Sequence, residues 1–113
     1  MQSSSRLPFK QASAAEIKQR LDASEPLHII DIRERDEHMT AHIEPAKLHP
    51  MSEMRSWWQE LPRNEAIVVM CHHGSRSAQV CMALSQAGFA DLTNMQGGID
   101  AWSRDVDPEV PRY

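Results

Sequence analysis

Cys71-His72-His73-Gly74-Ser75-Arg76-Ser77 places a thiol, two imidazoles, two hydroxyls and a guanidinium in one short run. The apolar stretch Ala66-Ile67-Val68-Val69-Met70 leads into it, and a helical pattern from Arg76 to Ala87 follows, with Gly88 beyond. The thiol is therefore expected at the end of a buried strand and just before a helix N-terminus. The first amides of a helix have no intrahelical acceptor and carry partial positive charge, so they stabilise an anion placed there. Only the thiolate is a strong nucleophile, and cysteines beside helix N-termini and cations as a class titrate below the free value of about 8.5. Arg76 supplies such a cation. The competing reading is a small buried hydrophobe, since cysteine is often buried and inert.

Four residues separate Cys71 from Arg76, enough for the loop to curl with several N–H groups aimed inward as an anion nest. Gly74 can take a positive φ, and Ser75 adds a hydroxyl donor. Such a cradle suits an oxyanion beside a thiolate, or a persulfide anion on the sulfur itself.

The elements that must position this loop are legible in outline. Ser13-Ala14-Ala15-Glu16 predicts a capping box opening a helix through Ile17 and Leu21, which ends before Pro26. Leu27 to Ile32 predicts a strand of nearly continuous apolar character, as expected when both faces are covered. Arg33 to Met39 is charged and predicts a short helix, Ala46-Lys47-Leu48 a weak strand, and Met51 to Leu61 a helix after Pro50. The strand Ala66 to Met70, the loop, its helix, a short strand Asp91 to Met95 and a last helix Ile99 to Ser103 after Gly97-Gly98 complete the pattern. Strands alternating with helices predict an α/β fold, with a central parallel sheet of about five strands flanked by helices. Ligands bind outside the carboxyl ends of strands in such sheets, where both Asp31 and Cys71 fall.

With 113 residues the chain is expected to form one domain, residues 9–113, after a flexible polar segment, residues 1–8. The net charge of −4 argues against a general nucleic-acid surface, so attraction for anions must be local. There is no apolar run of membrane-spanning length and no apolar leader at the start, so the expected location is the cytoplasm. The two cysteines do not make a disulfide framework. Cys81 is expected on the core face of the helix after the loop, too far from Cys71 to bridge.

The residues then show a resemblance. The blocks Asp31-Ile32-Arg33-Glu34, Ala41-His42-Ile43-Glu44-Pro45-Ala46, Cys71 to Ser77, and Gly97-Gly98-Ile99-Asp100-Ala101-Trp102 together resemble the rhodanese-like (sulfurtransferase) family in order and spacing. The resemblance implies a single rhodanese-like domain and a sulfur transfer. Cys71, matching the family's nucleophile, would take sulfane sulfur from thiosulfate or another persulfide donor and pass it to cyanide or a thiol acceptor, through a covalent intermediate. His72, His73, Gly74, Ser75 and Arg76 match the substrate loop, with backbone amides holding the sulfur anion and Arg76 favouring anionic donors. It implies no cofactor or metal, and leaves room for a protein sulfur acceptor. Ala41 and Glu44-Pro45 depart from the family's usual Gly and Pro-Gly, in a turn away from the nucleophile.

Two alternatives stay open. One is a persulfide carrier or interaction module in a sulfur relay. The other is a dual-specificity phosphatase of the cell-division-cycle type, against which the loop argues because those relatives carry one more residue between Cys and Arg. Elsewhere, Asp31 and Arg33 are expected to form a structural ion pair, and the spacing of His38 and His42 is weak evidence for a metal site. Of Trp57 and Trp58, one is expected in the core and the other partly covered; Trp102 anchors the last helix, and the internal methionines fill the core.

Overall fold

The computed structural model describes residues 7–113. The expected flexible segment 1–8 therefore falls largely outside the described residues, and only Leu7 and Pro8 of it belong to them, in neither helix nor strand. The elements run β1 (Lys10–Ser13), α1 (Ala14–Asp22), β2 (Leu27–Asp31), α2 (Arg35–Thr40), β3 (Ala46–Leu48), α3 (Met54–Trp57), β4 (Ala66–Met70), α4 (Ser75–Gln86), β5 (Leu92–Gln96) and α5 (Gly98–Asp105). All strands are parallel, in the order β1-β5-β4-β2-β3. The expected five-stranded parallel α/β sheet is thus observed.

The sheet separates two apolar layers. Strand β4 alternates between them: Val68 and Met70 pack with Ile17, Met95, Ile99 and Trp102 on the α1/α5 side. Ile67 and Val69 pack with Trp57, Val80, Cys81 and Leu84 on the α3/α4 side. Because side chains alternate strictly along a strand, Cys71, the residue after β4, continues the Ile67 and Val69 series and belongs to the α4 layer. Its placement beneath α4 follows from the period of two.

The capping box of α1 is present in both directions: Ser13 Oγ accepts from the Glu16 amide at 3.0 Å, and Glu16 accepts from the Ser13 amide at 2.8 Å. Strand β1, which the sequence did not predict, forms at the edge of the sheet, where polar Lys10 and Gln11 pair only with β5. The predicted helix Met51 to Leu61 is broken instead into a 3-10 turn Met51–Glu53, the single α-turn α3, and a second 3-10 turn Trp58–Glu60. The breaks fall at Glu53 and Trp57, whose φ values of −109° and −118° leave the helical range. They let Trp57 bury its ring while its indole N–H donates to the Pro50 carbonyl at 2.8 Å. Trp58 is partly buried against the same layer, beneath the Arg63 guanidinium, as expected of the second tryptophan. Met70 and Met95 are core residues as expected, but Met39 and Met82 are exposed.

Asp31 and Arg33 are both fully buried at the end of β2. Arg33 donates from Nε and one terminal nitrogen to the two Asp31 oxygens, at 2.9 and 2.7 Å. Its other N–H groups reach the Ala41 carbonyl at 2.7 Å, the Glu37 carbonyl and the Tyr113 hydroxyl. The pair thus braces α2 and the turn after it against the sheet, a structural role. Removing one member of a buried pair strands the other without solvent, so Asp31→Asn is expected to cost about 3–5 kcal/mol. Urea unfolding, with the midpoint lowered at unchanged slope, checks this.

Candidate active site

The thiol at the centre of the loop is 1% exposed. Its Sγ accepts from the Gly74 amide at 3.0 Å and the Ser77 amide at 3.3 Å, and the Ser77 hydroxyl lies at 3.3 Å. Gly74 makes this curl possible, since it stands at φ +109° as the residue before α4, a left-handed conformation that side chains other than glycine's rarely tolerate. The predicted nest is therefore real but narrower than expected, with two amides and one hydroxyl on the sulfur. Donors aimed at a sulfur stabilise negative charge on it.

Behind the sulfur lies a polar network that sequence reasoning did not assign. Ser77, fully buried on α4, hydrogen-bonds to Asn94 Oδ1 and to the Gly74 carbonyl. Asn94, on β5, donates from its amide nitrogen to Gln11 on β1 and to the Gly74 carbonyl, at 3.0 and 3.2 Å. The hydroxyl has a single proton, which Asn94 Oδ1 and the Gly74 carbonyl both compete to accept, so Asn94 fixes how Ser77 Oγ faces Cys71. Two adjacent polar residues, Thr93 and Asn94, within a buried strand were the available signal.

The loop is closed from its other side by α5. Ile99 and Asp100, in the first turn of that helix, donate their amides to the Cys71 and His72 carbonyls at 2.8 and 3.1 Å. Gly98 permits the approach: a Cβ there would collide with both carbonyl oxygens. This explains the Gly97-Gly98-Ile99-Asp100 block in physical terms, as a helix N-terminus docked onto the backbone of Cys71 and His72.

Arg76 does not stand free beside the sulfur. Both of its terminal nitrogens donate to the Glu37 carboxylate of α2, at 2.7 and 2.8 Å. Tyr113 joins them, its hydroxyl donating to Glu37 at 3.0 Å and accepting from Arg33 at 2.7 Å. Glu37 is held down to about 2, first by the Arg76 hydrogen bonds, and Arg76 is raised in turn. Neither Glu37 nor Tyr113 was predicted for the site. Only the charge of the Arg33 to Met39 segment hinted at the first.

The remaining loop residues divide. Ser75 opens α4 and is exposed. His72 stacks on Tyr113 with centroids 3.9 Å apart and planes 5° from parallel, and its buried Nε2 has no hydrogen-bond partner among the described residues. Burial, more than the neighbouring His73, pushes His72 below the usual imidazole range. His73 is exposed and packs against His72. Among the described residues, His72, His73 and Asp100 bring ligand atoms within 4.8 Å of one another, a grouping that a metal ion could use. The Asp100 carboxylate, however, already accepts from Arg112 at 2.9 Å. The His38 and His42 rings stack at 4.6 Å and belong to no such group of three. Cys81 is a free, buried thiol that burial pushes up to about 12, so it stays protonated.

Comparison with known proteins agrees with this geometry. The family model described as the rhodanese-like domain matches residues 13–105. The putative sulfurtransferase YtwF of Bacillus subtilis is 32% identical over 104 residues, covering 91% of this chain and 99% of its own length. The probable adenylyltransferase/sulfurtransferase MoeZ of Mycobacterium tuberculosis is 36% identical over 100 residues, 87% of this chain. The chain spans only 26% of that relative's length, and 46% of the putative sulfur carrier protein YrkF of Bacillus subtilis. The crystal structure of a rhodanese-like domain protein from Staphylococcus aureus superposes with a TM-score of 0.80 at 31% identity, covering 93% of this chain and 99% of that one.

Two outcomes follow from the geometry. Gly98→Ala forces a left-handed alanine, at about 1–2 kcal/mol for the backbone alone, and drives its Cβ into the loop carbonyls. A lowered melting temperature together with faster iodoacetamide labelling of Cys71 is the expected result. The Glu37 carboxylate is lowered from 4.5 to about 2, so its pairing stabilises the fold above the unfolded value and is lost as pH falls between those limits. Acid unfolding of Glu37→Gln should lack that component.

Proposed function

The chain belongs to the rhodanese-like domain family, and from that premise we propose that it is a sulfurtransferase which carries sulfane sulfur on Cys71. The observation that carries this reading is the pair of amides and the hydroxyl converging on a buried Sγ at a strand end. In the first half-reaction the Cys71 thiolate attacks the outer sulfur of thiosulfate or of another persulfide donor. The new S–S bond forms as the donor's bond to that sulfur breaks, leaving sulfite or a thiolate. In the second, cyanide or a thiol attacks the terminal sulfur and regenerates the Cys71 thiolate. The scheme is ping-pong, as covalent catalysis by an activated nucleophile requires.

The loop's parts take separate roles in this reading. The Gly74 and Ser77 amides are placed to share the negative charge of the bound sulfur, a use of fixed dipoles that needs no reorganisation. Asn94 positions the Ser77 hydroxyl. A relay to a protein acceptor uses the same chemistry, and the relatives named sulfur carrier and adenylyltransferase/sulfurtransferase favour it as the second reading.

Incubation with thiosulfate is expected to add one sulfur atom, about 32 Da, to the peptide containing Cys71. Cyanide should remove it as thiocyanate, and Cys71→Ser should abolish it. Failure of well-folded protein to acquire the adduct from thiosulfate or from glutathione hydropersulfide overturns the proposal.

A further inference from the structure

We infer that Glu37 selects the sulfur donor: by holding both terminal nitrogens of Arg76 it withholds the guanidinium from an incoming anion, so the loop favours a hydropersulfide, R–S–SH, over the thiosulfate dianion. The inference rests on the proposed uptake of sulfane sulfur by Cys71 and names its substrate class.

The carboxylate is well seated. Its Oε1 accepts from Arg76 at 2.7 Å and from the Glu34 amide at 3.1 Å, and its Oε2 accepts from Arg76 at 2.8 Å and from Tyr113 at 3.0 Å. The Glu37 side chain is only 20% exposed and that of Arg76 34%, so water screens the pair incompletely. An anion that recruits Arg76 must break two charge-assisted bonds in a fork geometry that already matches a carboxylate.

Among the described residues, the arginines near the loop are already paired. Arg33 is buried on Asp31, Arg112 is bonded to Asp100, and Arg104 lies on Asp105. His72 is kept toward its neutral form by burial. What faces the sulfur is therefore a set of neutral groups, the donating Gly74 and Ser77 amides with the Ser77 hydroxyl beside them.

The two donors load this set differently. With thiosulfate, a thiolate attacks a dianion; the S–S bond forms, the bond to the sulfonate breaks, and sulfite leaves with the electron pair. Three negative charges meet in the transition state. With a hydropersulfide, the thiolate attacks the outer sulfur, the inner sulfur leaves as RS⁻ with the electron pair, and the proton stays on the transferred sulfur. At the reacting atoms one negative charge is present throughout. Like charges brought together without a free cation are disfavoured, so neutral donors suit the second reaction better than the first.

The test is the rate of Cys71 persulfide formation, followed by intact mass, with thiosulfate and with glutathione hydropersulfide as separate donors. Glu37→Gln is expected to raise kcat/KM for thiosulfate about tenfold or more while moving that for the hydropersulfide by less than about threefold. Adding Arg76→Ala to that variant should abolish the gain, because the freed guanidinium is its source. Glu37→Ala serves if the first variant does not fold, and hydropersulfide uptake in either reports an intact loop. Thiosulfate kcat/KM unchanged or lowered in a variant that still takes sulfur from the hydropersulfide overturns the inference alone. Absence of persulfide from both donors in the wild type overturns the function and this inference together.

Discussion

Two hydrogen bonds from the first turn of α5 to the carbonyls of Cys71 and His72 are the constraint on which the site depends. They turn the backbone after β4 so that the loop's carbonyls face one helix N-terminus and the Gly74 and Ser77 amides face the sulfur. The peptide groups of the loop are thereby used on both sides. A buried backbone group without a partner costs as much as a lost hydrogen bond, so the arrangement stabilises the loop in the one curl that surrounds Sγ. The absence of a Cβ at Gly98 permits the contact, and the left-handed Gly74 completes the turn.

Around that backbone the charged residues form a shell that is almost neutral by pairs. Asp31 with Arg33, Glu37 with Arg76 and Asp100 with Arg112 lie at the carboxyl end of the sheet and on the helices beside it. Tyr113 links the first two pairs through its hydroxyl and covers His72 with its ring. Buried or half-buried pairs of this kind hold geometry more than they add stability, because desolvation offsets much of their attraction. Here they fix α2 and the loop relative to each other, and they leave the sulfur to uncharged donors. The electrostatics of the site is thus set by dipoles close to the sulfur, with the formal charges satisfied further out.

Cys71 itself was readable from local pattern alone. The period of two in β4, the glycine after it and the helical run beyond place a thiol at a strand end before a helix, and the structure has it there. The capping box of α1 and the two-faced burial of β2 and β4 were legible for the same reason, since each depends on neighbours a few residues apart. The helix expected over Met51 to Leu61 was not formed in one piece, because burying Trp57 against the Pro50 carbonyl outweighed helical continuity. Strand β1 was missed because a short polar edge strand exists only through its partner.

The place of the thiol at a strand end before a helix, and the alternation of the main strands and helices, are determined by the sequence, because they rest on side-chain period, on glycine's backbone freedom and on local capping. The partners of the thiol's loop were decided only by the tertiary structure. Glu37 lies far from Arg76 in the chain, Asn94 far from Ser77, and Tyr113 far from His72, and parallel crossovers bring them together. The spacing from Cys71 to Arg76 announced a cation beside the sulfur, but whether its charge is free or already held by a carboxylate is a property of packing, which no local pattern encodes.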